Sequence, residues 1–276
     1  MNRIDTRFSA LKVSGRKALI PFFTAGDPSL AAMVPVMHAL VAGGADVIEV
    51  GVPFSDPMAD GPTIQRSSER ALAGGAGLQF IFDSVRAFRA DDATTPVILM
   101  GYLNPVEIRG ADAFARDAAS AGVDGVLLVD LPPEELGDFR DVFIRHGVAL
   151  ILLAAPTTSD ERIAMLCDAA QGYLYYVSFA GVTGADGLDT SAASARLRSI
   201  RSAVPVVAGF GIKDAASATA MAVDADGVVV GSALVAAMAG CGSTAEAVRT
   251  AADFLAPLRA ALDGESTNAV AGSINA

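Results

Sequence analysis

A carboxylate stands inside an apolar run at ADVIEVG (45–51), where Ile48 and Val50 flank Glu49. Two more acids, Asp56 and Asp60, follow in the loop VPFSDPMADGPT. Burying an unpaired acid in a strand carries a large desolvation cost or drives its pKa upward. Strand alternation puts Ile48 and Val50 on one face and Val47, Glu49 and Gly51 on the other. A carboxyl held this way is available as a general acid or base near neutral pH. The competing explanation is an interior ion pair. The lysines are Lys12, Lys17 and Lys213, and none falls in a strand-like run, so the partner would have to be an arginine reaching in from a loop. Asp60 lies eleven residues beyond Glu49, close enough for the loop to fold it back over the strand end. Aspartates in Pro/Gly loops ordinarily form Asx turns. Asp56, between Ser55 and Pro57, reads equally as a turn former or an interface contact.

A second signal lies in GFGIKD (209–214) and GSALVAAM (231–238). Each is a strand end running through glycine toward a helix, the arrangement that lets a backbone approach a phosphate closely and offers it unpaired N–H groups. Other chemistries find little support. His38 and His146 lie in helical segments, which argues against a zinc site or any other metal centre. No strand lysine is present for a Schiff base, and Lys213 is the sole remote candidate. Cys167 and Cys241 are isolated from each other and from any Cys/His cluster. Two carboxylates and a phosphate cradle remain. If they break a carbon–carbon bond, the substrate must supply the electron sink.

The elements that must position these groups are short apolar runs at 18–23, 45–51, 96–102, 125–131, 149–155, 173–179, 204–210 and 227–232, alternating with helical patterns. Continuously apolar strands suit a parallel sheet covered on both faces. Eight of them in 276 residues predict a single-domain (β/α)8 barrel over 1–264. A doubly wound open sheet is the alternative, although TAGDP after the first run is not a GxGxxG turn. Residues 2–14 predict an extra amphipathic helix covering the barrel bottom, and a short phosphate-binding helix is expected after the eighth strand. In such barrels catalytic groups sit at the C-terminal strand ends, where Glu49 and Asp60 fall, and phosphate sits at the last two strands.

The net charge of −11, with no basic patch, argues against a nucleic-acid partner. The first residues lack a signal-peptide pattern, and no apolar stretch is long enough for a membrane span, so a cytoplasmic location is expected. GESTNAVAGSINA reads as a frayed tail, with 265–276 outside the domain.

VIEVGVPFSDPMADGPTIQ, with PFFTAGDP, MGYLNP, DLPPEE, GVTGA, GFGI and GSALV in the same order, closely resembles the α-subunit family of tryptophan synthase from about residue 5 to about residue 262. The resemblance implies a lyase that cleaves indole-3-glycerol phosphate to indole and glyceraldehyde 3-phosphate, the protonated indole ring being the electron sink. It implies that Glu49 is the acid/base at indole C3 and the glycerol hydroxyl. Asp60 would stabilise charge at the indole nitrogen. Phe22, Met100, Tyr102, Leu127, Val129, Leu153 and Tyr175 are expected around the indole. Thr183, in a mobile loop, would meet Asp60 on closure. Phosphate is expected on Gly184, Phe210, Gly211, Gly231 and Ser232. No cofactor is expected in this chain. The implied partner is a β subunit holding pyridoxal phosphate, in an α2β2 heterotetramer, with Pro53, Asp56, Pro57, Asn104 and Pro132 toward it. Rival readings are another phosphate-binding barrel, such as a sugar-phosphate isomerase or epimerase or the enzyme that makes indole-glycerol phosphate, and an interaction subunit that has kept the fold without the activity.

Overall fold

A computed structural model of the chain describes residues 2–177, 190–209 and 211–264. After α1 (Arg3–Ser14), β1 (Ala18–Thr24) leads through a short 3-10 turn into α2 (Met33–Ala42). β2 (Ile48–Gly51) is followed by two helices, α3 (Pro62–Ala73) and α4 (Leu78–Arg89), which account for the long connection to β3 (Val97–Gly101). Next come α5 (Leu103–Arg109), α6 (Ala111–Ala121), β4 (Gly125–Leu128), α7 (Gly137–Arg145), β5 (Ala149–Ala154), α8 (Asp160–Ala169) and β6 (Leu174–Val177). The chain continues through α9 (Thr190–Ser199), β7 (Val206–Gly209), α10 (Ala215–Ala222), β8 (Gly227–Val230), α11 (Ser232–Met238) and α12 (Thr244–Leu262). The eight strands pair in parallel, in sequence order, and β8 closes on β1.

Most strands are shorter than the apolar runs that announced them. The ladder in a closed, staggered barrel covers only the overlap between neighbours, and the remaining apolar residues pack against helices. The tail at 265–276 and parts of the sixth and seventh runs lie outside the described residues.

Register decides which residues face inward. Phe22 pairs with Glu49 and Glu49 with Ile98, while Met100 pairs with both Gly51 and Leu127. Leu153 pairs with Tyr175, which pairs in turn with Val207. With period-2 alternation, Glu49, Phe22, Met100, Leu127, Leu153 and Tyr175 share the inner face.

The bottom of the barrel is closed by α1. Asn2 caps its first turn in a capping box with Asp5, and Ile4, Phe8 and Leu11 form its buried stripe. Burying each of these side chains is worth about 1.5–3 kcal/mol. Ile4 can enter because Gly125 and Gly172 leave room: a Cβ at either would come within 3.3 Å of its side chain. Phe8 meets the ring of Tyr173, with centroids 5.8 Å apart.

Side chains just ahead of the even strands brace that end. Asp46, Asp124 and Asp226 accept the N–H groups of Leu19, Val97 and Val206, while their own N–H groups donate to the carbonyls of the same three residues. Gln171 accepts the N–H of Leu150 in the remaining strand pair. Each odd strand therefore begins with its first free donor occupied by the loop ahead of its even neighbour. Asp124 also binds Arg89 and Arg3 at 2.7 and 2.9 Å, and Asp46 binds Arg259 at 2.9 Å.

Candidate active site

At the opposite end, β2 carries Glu49 into the barrel with no solvent exposure. Its Oε1 accepts a hydrogen bond from Tyr173 Oη at 2.5 Å, and its Oε2 has no partner among the described residues. No arginine reaches in among the described residues. Burial pushes the carboxyl from its ordinary 4.5 up to about 7, and the Tyr173 hydroxyl pulls it back only in part. The same burial, with the nearby Glu49 charge, raises the phenols of Tyr173 and Tyr175 well above their usual range.

Asp60 closes the loop that follows β2, immediately before Gly61 and the Pro62 that opens α3. Its N–H donates to Pro57 O at 3.1 Å, and its carbonyl accepts from Gln65 Nε2 at 2.8 Å. Burial raises the Asp60 carboxyl, and a hydrogen bond from Tyr102 lowers it in opposition.

Both acids line one cavity of about 320 Å³. Phe22, Ile64, Met100, Tyr175, Ile212 and Val229 give it apolar walls, and Gly211, Gly231 and Ser232 line it too. Gly211 adopts a positive φ of 74°, and Gly231 caps α11, which begins at Ser232. The short helix after the eighth strand is therefore present. Tyr102 and Val129 line a smaller void beside it with Phe22, Asp60 and Met100. Leu127 and Leu153 face inward by register but do not line the cavity. Thr183, Gly184 and Phe210 lie outside the described residues.

Of the positions expected to lie toward a partner, Asp56, Asn104 and Pro132 are exposed and Pro57 is half-buried. Pro53, expected with them, is buried. Met58 and Ile108, missed as candidates, stand about four-fifths exposed on the same loop and on α5. Tyr173, the hydrogen-bond partner of Glu49, was not among the residues expected from the sequence. Its signal was available: it lies two residues before Tyr175 and shares that residue's face. Away from the site, His38 packs on Phe88 and His146 binds Asp112, and both cysteines are free thiols. Among the described residues no three His, Cys, Asp or Glu side chains gather as metal ligands would. No described helix is long and apolar enough to cross a membrane.

Residues 8–261 match the family model described as "Tryptophan synthase alpha chain". The chain belongs to the tryptophan synthase α-chain family. Relatives of that name agree in sequence along nearly the whole chain. The α chain of Xanthomonas euvesicatoria pv. vesicatoria is 70% identical over 266 residues, covering 95% of this chain and 99% of the relative. That of Xanthomonas oryzae pv. oryzae is 69% identical over the same length. The solved α subunit from Legionella pneumophila str. Paris superposes with a TM-score of 0.89 at 45% identity, covering 96% of this chain and 99% of that one. A chain of tryptophan synthase from Mycobacterium tuberculosis gives 0.84 at 38% identity, covering 95% and 98%. Members of the family are lyases that cleave indole-3-glycerol phosphate and pass indole to a β subunit, and membership extends both roles to this chain.

Proposed function

We propose that Glu49 and Asp60 perform the retro-aldol cleavage of indole-3-glycerol phosphate in this chain. The carrying observation is a fully buried carboxyl with one oxygen unpartnered among the described residues, in the same cavity as a second acid and two glycine turns. With a pKa of about 7, Glu49 is populated in both protonation states near neutrality. The protonated form gives its proton to indole C3, turning the ring into a cationic electron sink. The resulting carboxylate takes the proton of the glycerol hydroxyl. The carbon–carbon electron pair then flows into the ring, releasing indole and the aldehyde of glyceraldehyde 3-phosphate, and Glu49 is protonated again. Asp60 accepts the ring N–H as positive charge builds on the nitrogen, a stabilisation strongest where water is excluded.

The apolar walls suit a flat aromatic ring. Gly211, Gly231 and Ser232 are assigned to the phosphate, with Gly184 and Phe210, and Thr183 to closure over Asp60. Leu127, Val129 and Leu153 support the ring pocket from the inner face. The partner is a β subunit in an α2β2 assembly that holds the pyridoxal phosphate, and no cofactor is assigned to this chain. Asp56, Pro57, Asn104 and Pro132 face that partner, with Pro53 behind them. We assign the chain to the cytoplasm, a reading that its family membership supports.

Glu49→Gln keeps the acceptor for Tyr173 and removes the titrating proton. Indole release by that variant is expected to fall about 10²–10⁴-fold, and near-normal turnover would refute the role of Glu49. Glycerol phosphate at millimolar concentration is expected to raise the melting temperature, because it binds only the folded chain. An unchanged melting point would remove the phosphate assignment.

A further inference from the structure

Tyr102 follows β3 directly and is almost wholly buried. Its ring packs on Phe54, centroids 5.2 Å apart, which fixes the phenol against the first half of the loop after β2. Its hydroxyl reaches the second half of the same loop, where the Ala59 N–H donates to Tyr102 Oη at 3.0 Å. That bond uses a lone pair, so the one phenolic proton is left for a second partner, and Asp60, next in sequence to Ala59, lines the same small void as Tyr102. The mounting is rigid. Leu103, next in sequence, donates its N–H to Asp130 Oδ1 at 2.8 Å, and Val52 extends the β2–β3 ladder by donating to Met100 O at 2.8 Å.

From this geometry we propose that Tyr102 is a positioning residue, whose hydroxyl bridges the Ala59 amide and the Asp60 carboxylate and aims that carboxylate into the cavity. The proposal rests on Asp60 being the partner of the indole nitrogen. A residue serving only as an apolar wall would need a ring and no hydroxyl. The bridge also opposes the effect of burial on Asp60 by giving its charged form a donor. Phe54, the ring beneath Tyr102, belongs to the partner-facing half of the loop, so one side chain connects that half to the acid.

Tyr102→Phe keeps the ring and removes the bridge. In that variant the Asp60 carboxyl, followed by carboxyl NMR, is expected to titrate at higher pH than in the wild-type chain. The kcat for indole release should fall about tenfold to a hundredfold, the range for losing a hydrogen bond to a charged group, with KM changing less. In an Asp60→Asn background the same substitution should cost under about twofold, because a residue that acts through Asp60 has nothing left to position. An unchanged Asp60 titration, or an equal loss in the Asp60→Asn background, overturns the proposal. If the wild-type chain releases no indole, the functional reading falls, while the Asp60 titration still decides whether Tyr102 holds that carboxylate.

Discussion

The two ends of this barrel treat buried carboxylates in opposite ways. At the bottom, Asp124 receives two arginines and a backbone amide, and Asp46 receives Arg259 and the Leu19 amide. Burial still pushes the Asp46 carboxyl upward, but the Leu19 N–H, Arg259, Arg7 and Arg16 all pull against it. At the top, Glu49 is buried more completely and, among the described residues, has one phenol to answer it, with an oxygen left over. Charges that are paired hold the strand ends in place. A charge left half-answered stores the ability to move a proton, because neither of its protonation states is strongly preferred near neutrality.

Substitutions at the two ends should therefore change stability with opposite sign. The largest effect is expected at the bottom. Asp124→Ala leaves Arg89 Nη2 and the Val97 N–H without their acceptor and the buried Arg89 charge without its carboxylate, and unfolding titrations should show a loss of about 3–5 kcal/mol. A change under about 1 kcal/mol would mean that the arginines are solvated and the brace is ornamental.

Glu49→Gln should instead stabilise. Its folded-state pKa of about 7 lies above the ordinary 4.5. Between those values the folded chain keeps a proton that the unfolded chain has released. Wild-type stability therefore falls as pH rises through that window, and the full cost is present above it. The variant is expected to exceed wild type by up to about 3 kcal/mol near pH 8 and to match it near pH 4. A pH-independent difference would show that Glu49 does not titrate in this range.

Gly209→Ala comes next. A Cβ there would lie 2.0 Å from Tyr175 Oη. Overpacking of about 1–3 kcal/mol should appear in melting, with loss of indole release as Tyr175 is displaced into the cavity. Full activity would mean that the ring yields without cost. The smallest effect belongs to Arg7→Ala, whose 3.8 Å contact with Asp46 is partly exposed. A change of under about 1 kcal/mol is expected from chemical denaturation.

Much of the site was legible because it is local. Glu49 in its apolar run, the loop acids and the two glycine turns each occupy a short stretch, and period-2 alternation sets Glu49 facing inward. What escaped depends on distance along the chain. Tyr173 meets Glu49 from 124 residues away, and only barrel closure makes them neighbours. Tyr102 was set in the ring wall by the family resemblance, whereas its hydroxyl bond to Ala59 follows from how the β2 loop folds back. The bracing aspartates were passed over although Asp46, Asp124 and Asp226 all stand just ahead of apolar strands. Their role needs the adjacent strand, and hydrophobic periodicity carries no information about which strand that is. Pro53, which the resemblance set toward a partner, is buried.

The sequence by itself determined the elements, the parallel class, the inward face of β2 and the acids available, since each follows from side-chain type and spacing. The tertiary structure alone decided what those acids are. Closure of the sheet brought two arginines to Asp124 and, among the described residues, none to Glu49, and the surroundings of a carboxyl, rather than its identity, fix where its proton sits.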